Sequence, residues 1–163
     1  TVAYGQFSRL SWQWIRNDFL IHKIDEELLG GKIYSNTTLR EILEFSKTLK
    51  EQYDILSQIE SKRSKEVVSF YYDLFQSMKC AHHYLKKNHY FILVTGNRTV
   101  KNILLRTDLI ISEMAFILGF KTEKILQRNI INKKMPNKNS PSNKKGEVSS
   151  TIVKENILFL RKV

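Results

Sequence analysis

Several things are scarce in this chain, and each shortage narrows what it is. A single cysteine, Cys80, stands among 163 residues, so no intrachain disulfide can form. That fits a reducing compartment and makes a cytoplasmic location the expectation. Only two prolines occur, Pro136 and Pro141, and no proline interrupts the helix-like segments upstream of them. Long apolar runs are also missing: the longest, LIISEMAFILGF, is broken by Glu113 and is too short to cross a bilayer. The first residues show no basic-then-apolar leader pattern. The chain opens on Thr1 rather than Met, which raises the expectation that it was cut, processed or split from something longer. No acidic residue lies between Lys124 and Gly146.

What is abundant is positive charge. Lys and Arg number 27 against 16 Asp and Glu, a net charge of +11. A field of that sign attracts polyanions, which puts nucleic acid or an anionic membrane surface first among partners. The other reading is that excess lysine only keeps the protein soluble. The length suits one domain with a proper core.

Hydrophobic spacing divides the chain in two. Residues 8–21 read as a helix, with Leu10, Trp14, Ile15 and Leu20 near one face, and Gly30-Gly31 end a short second helix. Leu39, Ile42, Leu43, Leu49, Tyr53, Leu56 and Ile59 predict a long helical stretch. After a break near ESKRSKE, capped by Ser61 or Ser64, a second stripe runs through Val67, Phe70, Tyr71, Leu74, Met78, Ala81 and Leu85. Such stripes are packing faces, and no chemistry is read into them.

From residue 89 the period changes. HYFILVTGN is a dense apolar run without polar alternation, as expected of a strand covered on both faces. TDLIISEMAFILGF predicts a helix capped by Thr107 and stopped at Gly119; EKILQRNII is a weaker strand, and NILFLRKV a final one. Strand, helix and strand in succession favour a parallel pair with a right-handed crossover. Ligands gather at the carboxyl ends of such strands, where TGNRTV and the start of the basic loop both fall.

The loop from Asn132 to Ser150 is longer than connections usually run unless they bind something or are disordered. Lys133, Lys134, Lys138, Lys144 and Lys145 can neutralise phosphates, while Asn139, Ser140, Ser142 and Asn143 offer short polar groups. A solvated excursion is the alternative. Asn97 and Arg98 follow the buried strand directly and can reach a flipped base or a phosphate; a plain turn with Asn97 left-handed is the other possibility. Cys80, His82, His83 and His89 lack the spacing of a metal site, and none is assigned. No phosphate-binding glycine loop, nucleophile elbow or HExxH is present. The residues by themselves indicate a nucleic-acid-binding α/β unit.

Three strings, TVAYGQFSR, VTGNRTV with its following TD helix, and RNIINKKMPNKNSPSN with ENILFLRK, resemble the later part of amino-group DNA methyltransferases. These enzymes methylate cytosine N4 or adenine N6 with S-adenosylmethionine, many of them in restriction-modification systems. The likeness covers both ends and most of residues 89–163 and is weak over 10–88, which read as a helical insertion in a single partial methyltransferase domain. It implies an α/β fold: the C-terminal part of a Rossmann-like sheet of about three strands, preceded by a mainly helical segment. HYFILVTGN would be the fifth strand, and the final strand would lie antiparallel between the other two.

In the family a Ser/Asp-Pro-Pro-Tyr motif precedes a string like TVAYGQFSR, and a Phe-x-Gly-x-Gly loop holds the cofactor. Neither occurs here. The resemblance therefore implies no catalytic residue in this chain, an apolar unpaired edge on the first strand, and a missing N-terminal part or second subunit that carries both motifs and binds most of the S-adenosylmethionine. Tyr4, Gln6, Arg9, Asn97 and Arg98 would flank the base pocket. Lys133, Lys134, Lys138, Asn139, Ser140, Asn143, Lys144 and Lys145 would grip double-stranded DNA around the flipped base. The chain alone would be inactive. A non-enzymatic basic DNA-binding protein, or an inactive methyltransferase remnant, is the competing reading from another class. Cytosine N4 against adenine N6 is decided by the motif that is absent.

Overall fold

A computed structural model of the protein describes residues 28–130, 138–139, 149–150 and 153–163. The readings of a helix at 8–21, and of most of the short helix before Gly30, lie outside those residues. Gly30 itself turns the chain with φ +74°, its N–H donating to Asp73 Oδ2 at 2.8 Å. An added Cβ there would stand 3.2 Å from Phe70 Cβ.

Ser35 caps α1 (Asn36–Leu43) by accepting from the Thr38 N–H. The continuous stretch expected from Leu39 to Ile59 is instead two helices. Ser46, extended at φ −147°, starts α2 (Lys47–Ile59) by accepting from the Leu49 N–H. Serine favours such a cap because its hydroxyl replaces a helix bond that the first turn lacks. The predicted break after Ile59 is present, but Glu60 takes the cap position of α3 (Ser61–Tyr84), with no side-chain cap bond. The Glu60 carboxylate instead meets Lys101 Nζ at 2.8 Å, and that hydrogen bond holds it below the usual carboxylate range.

The strands follow: β1 (Tyr90–Thr95), a hairpin of β2 (Thr99–Val100) and β3 (Ile103–Leu104), then α4 (Thr107–Ile117) and β4 (Phe120–Asn129). Arg106, not Thr107, is the cap of α4, and Gly119 ends the helix at φ +87° as expected. The two-residue ladder of β5 (Lys138–Asn139) and β6 (Ser149–Ser150) lies inside the segment 132–150 read from the sequence as a basic loop. β7 (Lys154–Lys162) closes the chain. The hairpin was not anticipated: Lys101 and Asn102 both take positive φ, the backbone that a tight two-residue hairpin demands.

The main sheet has the order β1-β7-β4, with β7 antiparallel to both neighbours. β1 and β4 therefore run in one direction but do not pair with each other. The parallel pair suggested by strand, helix and strand is thus split by β7. Both strands still end at the same side, because Thr95 and Gln127 stand opposite the two flanks of Asn156.

One face of the sheet packs against the helices. Leu158 and Leu160 from β7, Phe120 from β4, Ile110 and Met114 from α4, and Tyr71 and Met78 from α3 share a single buried cluster. The helical residues from Leu39 to Met78 are therefore built into the same core as the sheet. The second face corrects an expectation. Along β1, exposure alternates, and Tyr90, Ile92 and Val94 are about half exposed, at 50%, 51% and 54%. This strand is covered on one face, and its outward residues are apolar nonetheless.

Candidate nucleic-acid interface

The end of the sheet where β1 and β4 finish is polar and built from several elements. β1 delivers Asn97, whose side-chain oxygen accepts from the Asp108 backbone N–H at 3.2 Å. Asn97 has ordinary backbone geometry, so the left-handed turn considered for it does not form. Its side-chain oxygen fixes the first turn of α4 instead, and its amide nitrogen has no partner among the described residues. Arg98 is exposed beside it; the Arg98 carbonyl accepts from the Leu105 N–H at 2.8 Å, closing the hairpin onto the site.

Arg106 Nε and Nη2 approach the Asp108 carboxylate at 3.3 and 3.4 Å, long for hydrogen bonds, so this is mainly an ion pair at the start of α4. Asp108 is buried at 9% exposure, in the helix turn where backbone N–H groups favour an anion. Beneath it, the Tyr71 hydroxyl and Thr107 Oγ1 lie 2.9 Å apart, and burial pushes the Tyr71 phenol up to about 12. Tyr71 is thus a neutral structural hydroxyl. Gln52 on α2 holds the same junction from outside, donating to the Leu104 carbonyl and accepting from the Arg106 N–H. The helical segment thereby positions the loop that follows β1.

β7 and β4 add a second group. Asn156 is buried, and its side-chain oxygen accepts from Gln127 Nε2 at 3.3 Å; Gln127 Oε1 accepts from Lys154 Nζ at 3.3 Å. Arg128 reaches Glu155 through Nε at 2.8 Å and Nη2 at 2.7 Å. Among these cations, Arg98 has no acidic partner within the described residues, whereas Arg106 and Arg128 are paired. A free guanidinium beside an anchored amide is suited to a phosphate or a base edge.

Of the residues expected at the site, Asn97 and Arg98 are thus placed together at the sheet end. Lys138 and Asn139 sit on β5, paired with Ser150 and Ser149. Tyr4, Gln6, Arg9, Lys133, Lys134, Ser140, Asn143, Lys144 and Lys145 lie outside the described residues. Gln52, Arg106, Asp108, Gln127 and Asn156 were not anticipated. Asp108 and Asn156 carried a signal, as members of the TD and ENILFLRK strings, but were read only as parts of a helix and a strand. Among the described residues no group of acidic, His or Cys side chains is arranged to hold a metal ion, and no helix is long and apolar enough to cross a membrane.

The wider likeness of the chain bears on this end of the sheet. No family model matches it, and no solved structure does. The chain is similar to part of a type II methyltransferase. It is 42% identical over 167 residues to type II methyltransferase M.MvaI of Kocuria varians, across 99% of its own length. The match covers 37% of that relative, so the chain spans well under half the length of the protein it resembles.

Proposed function

We propose that this chain is the target-base and DNA-contacting part of an S-adenosylmethionine-dependent DNA methyltransferase of the restriction-modification type, modifying an exocyclic amino group of a flipped base. The identity to a type II methyltransferase along nearly the whole chain carries the reading. The sheet order supports it: β7, antiparallel between β1 and β4, is the arrangement the resemblance implies for the closing strands of a Rossmann-like methyltransferase sheet.

The chain's own residues do not fit the cofactor. The sequence has no Phe-x-Gly-x-Gly string, and among the described residues the two glycines with positive φ, Gly30 and Gly119, serve turns beside Phe70 and His82 rather than a phosphate- or nucleoside-binding loop. The cofactor cradle and the Pro-Pro-Tyr loop are therefore assigned to polypeptide outside these residues, in the same protein or a second subunit. What this chain contributes is positioning. Arg98, with Asn97 beside it, faces the extruded base and the strand it left, and the lysines of the basic loop neutralise the flanking phosphates. Tyr4, Gln6 and Arg9, named by the resemblance, are the further residues assigned to the base pocket.

The test is DNA from cells that co-express the chain with a polypeptide carrying the two missing motifs. Mass spectrometry of the digested DNA should find N4-methylcytosine or N6-methyladenine in the co-expressing cells and not in cells with the chain alone. Absence of both modified bases in the presence of a stable, DNA-binding pair would refute the reading.

A further inference from the structure

Between Asp73 and Asp108 the sequence holds no acidic residue, while Lys79, His83, Lys86, Lys87 and His89 crowd the end of α3 and the turn into β1. Lys79, Lys86 and Lys87 are exposed, and none has an acidic partner among the described residues. The register sets Arg161 and Lys121 beside this turn, where they share the Glu123 carboxylate at 2.8 and 3.6 Å. The cluster stands at the opposite end of the sheet from Asn97 and Arg98. β1, from Tyr90 to Thr95, separates the two ends by about 20 Å, at roughly 3.3 Å per residue. The Debye length at physiological salt is about 8 Å, so exposed charges at the two ends act separately.

Hydrogen bonds to β7 fix the turn. Lys162 Nζ donates to the carbonyls of His82 at 2.7 Å and Leu85 at 2.9 Å, a cation closing the C-terminus of α3. Asn88 takes φ +65°, and its N–H donates to the Lys162 carbonyl at 2.8 Å. Arg161 Nη1 donates to Asn88 Oδ1 at 3.1 Å, and the Lys162 N–H donates to the His89 carbonyl at 3.0 Å. Lys86 and Lys87 therefore project from an anchored backbone, and less order is lost when they meet a ligand.

Beside them stands an aromatic ring with little cover. Tyr84 is 79% exposed, and its ring meets His83 edge to face, with centroids 4.9 Å apart and planes at 85°. Charge alone would accept any polyanion, but an open ring among cations adds a surface on which a base can stack. A duplex keeps its bases stacked on one another and cannot use that ring; a single strand can.

We propose that the turn between α3 and β1 is a binding site for single-stranded nucleic acid. Tyr84 stacks on an unpaired base, and Lys86 and Lys87 hold the flanking phosphates. The site is separate from the candidate base-flipping end and does not depend on the methyltransferase reading.

The experiment uses the full chain with Lys133, Lys134, Lys144 and Lys145 replaced by Ala, which removes the pull of the basic loop. Fluorescence anisotropy follows a labelled oligothymidylate of about twelve nucleotides, within the span such sites cover, and a duplex of equal length. Tyr84→Ala should weaken the oligothymidylate by about tenfold and the duplex by less than about twofold, whereas Tyr84→Phe should bind as the parent does. Lys86→Ala/Lys87→Ala should weaken the oligothymidylate and lower its log–log salt slope by about 0.7 for each lost phosphate contact. This second variant changes only exposed side chains, so it decides the matter even if Tyr84→Ala melts early. Oligouridylate that binds equally and is lost with Tyr84 supports the same site, with RNA among its occupants. The inference is overturned if the parent does not bind the oligothymidylate, or if neither variant weakens it. It is overturned too if duplex and single strand weaken in step, since the turn is then a plain charged surface. Methylation is not measured, so the outcome stands apart from the fate of the methyltransferase reading.

Discussion

The Asn97 side-chain oxygen accepts a hydrogen bond from the Asp108 N–H at 3.2 Å and so joins the end of β1 to the first turn of α4. Replacing Asn97 with Ala removes an acceptor from a helix start, which should destabilise the chain by about 1 kcal/mol in urea unfolding. Arg98→Ala removes an exposed side chain and should change stability by less than about 0.5 kcal/mol. If Arg98 serves DNA, the same variant should weaken duplex binding although the fold is intact. An Arg98→Ala chain that binds duplex as wild type does would remove it from the interface.

Glu113 links α4 to α2. Its carboxylate accepts from the Ser46 hydroxyl at 2.5 Å, the Thr48 hydroxyl at 2.7 Å and the Thr48 N–H at 3.1 Å. Ser46 is buried, so Glu113→Ala leaves its hydroxyl without that acceptor and should cost about 1–3 kcal/mol. Gln at this position keeps one acceptor oxygen and should recover part of the loss. Urea midpoints of the two variants, with an unchanged denaturant slope, are the check.

His82 predicts a pH dependence. Its ring centroid lies 4.9 Å from that of Phe120, and Lys162 Nζ donates to the His82 carbonyl at 2.7 Å. Burial first, then the Lys162 and His83 charges, push its imidazole below the ordinary value. The unfolded chain binds this proton more readily than the folded one. The contribution to stability is therefore complete above about 6.5, the ordinary imidazole pKa, and is lost as pH falls through the depressed folded value. Stability measured at pH 7.5 and 5.5 should drop towards acid, and His82→Gln should flatten that drop.

The basic loop is tested by salt. Replacing Lys133, Lys134, Lys144 and Lys145 with Ala should weaken duplex binding and reduce the log–log salt slope by about 0.9 for each lost phosphate contact. Equal affinity and slope in wild type and variant would show that these lysines are only solvated.

How far the sequence reached differs from element to element. The stripe from Val67 to Leu85 and the run from Tyr90 to Thr95 were legible because a helix and a strand impose different periods on apolar residues. Gly119 was legible as a stop because a left-handed residue commonly ends a helix. The division of α1 from α2 was not legible. Ser46 becomes a helix cap in a place where its hydroxyl also meets Glu113, far along the chain, and no local pattern reports that contact.

The same division runs through the candidate site. Sequence alone determined the strong positive charge, the strand that ends at Gly96, and the presence of Asn97 and Arg98 just beyond it. Tertiary structure decided that β7 lies between β1 and β4, which brings Thr95 and Gln127 level across Asn156. It also decided that Asn97 anchors α4, and that Arg98 stays unpaired among the described residues while Arg106 turns to Asp108. The outward side of β1 was misread for a physical reason. A strand's own residues show that it is apolar on both sides, whereas what covers each side belongs to other segments of polypeptide.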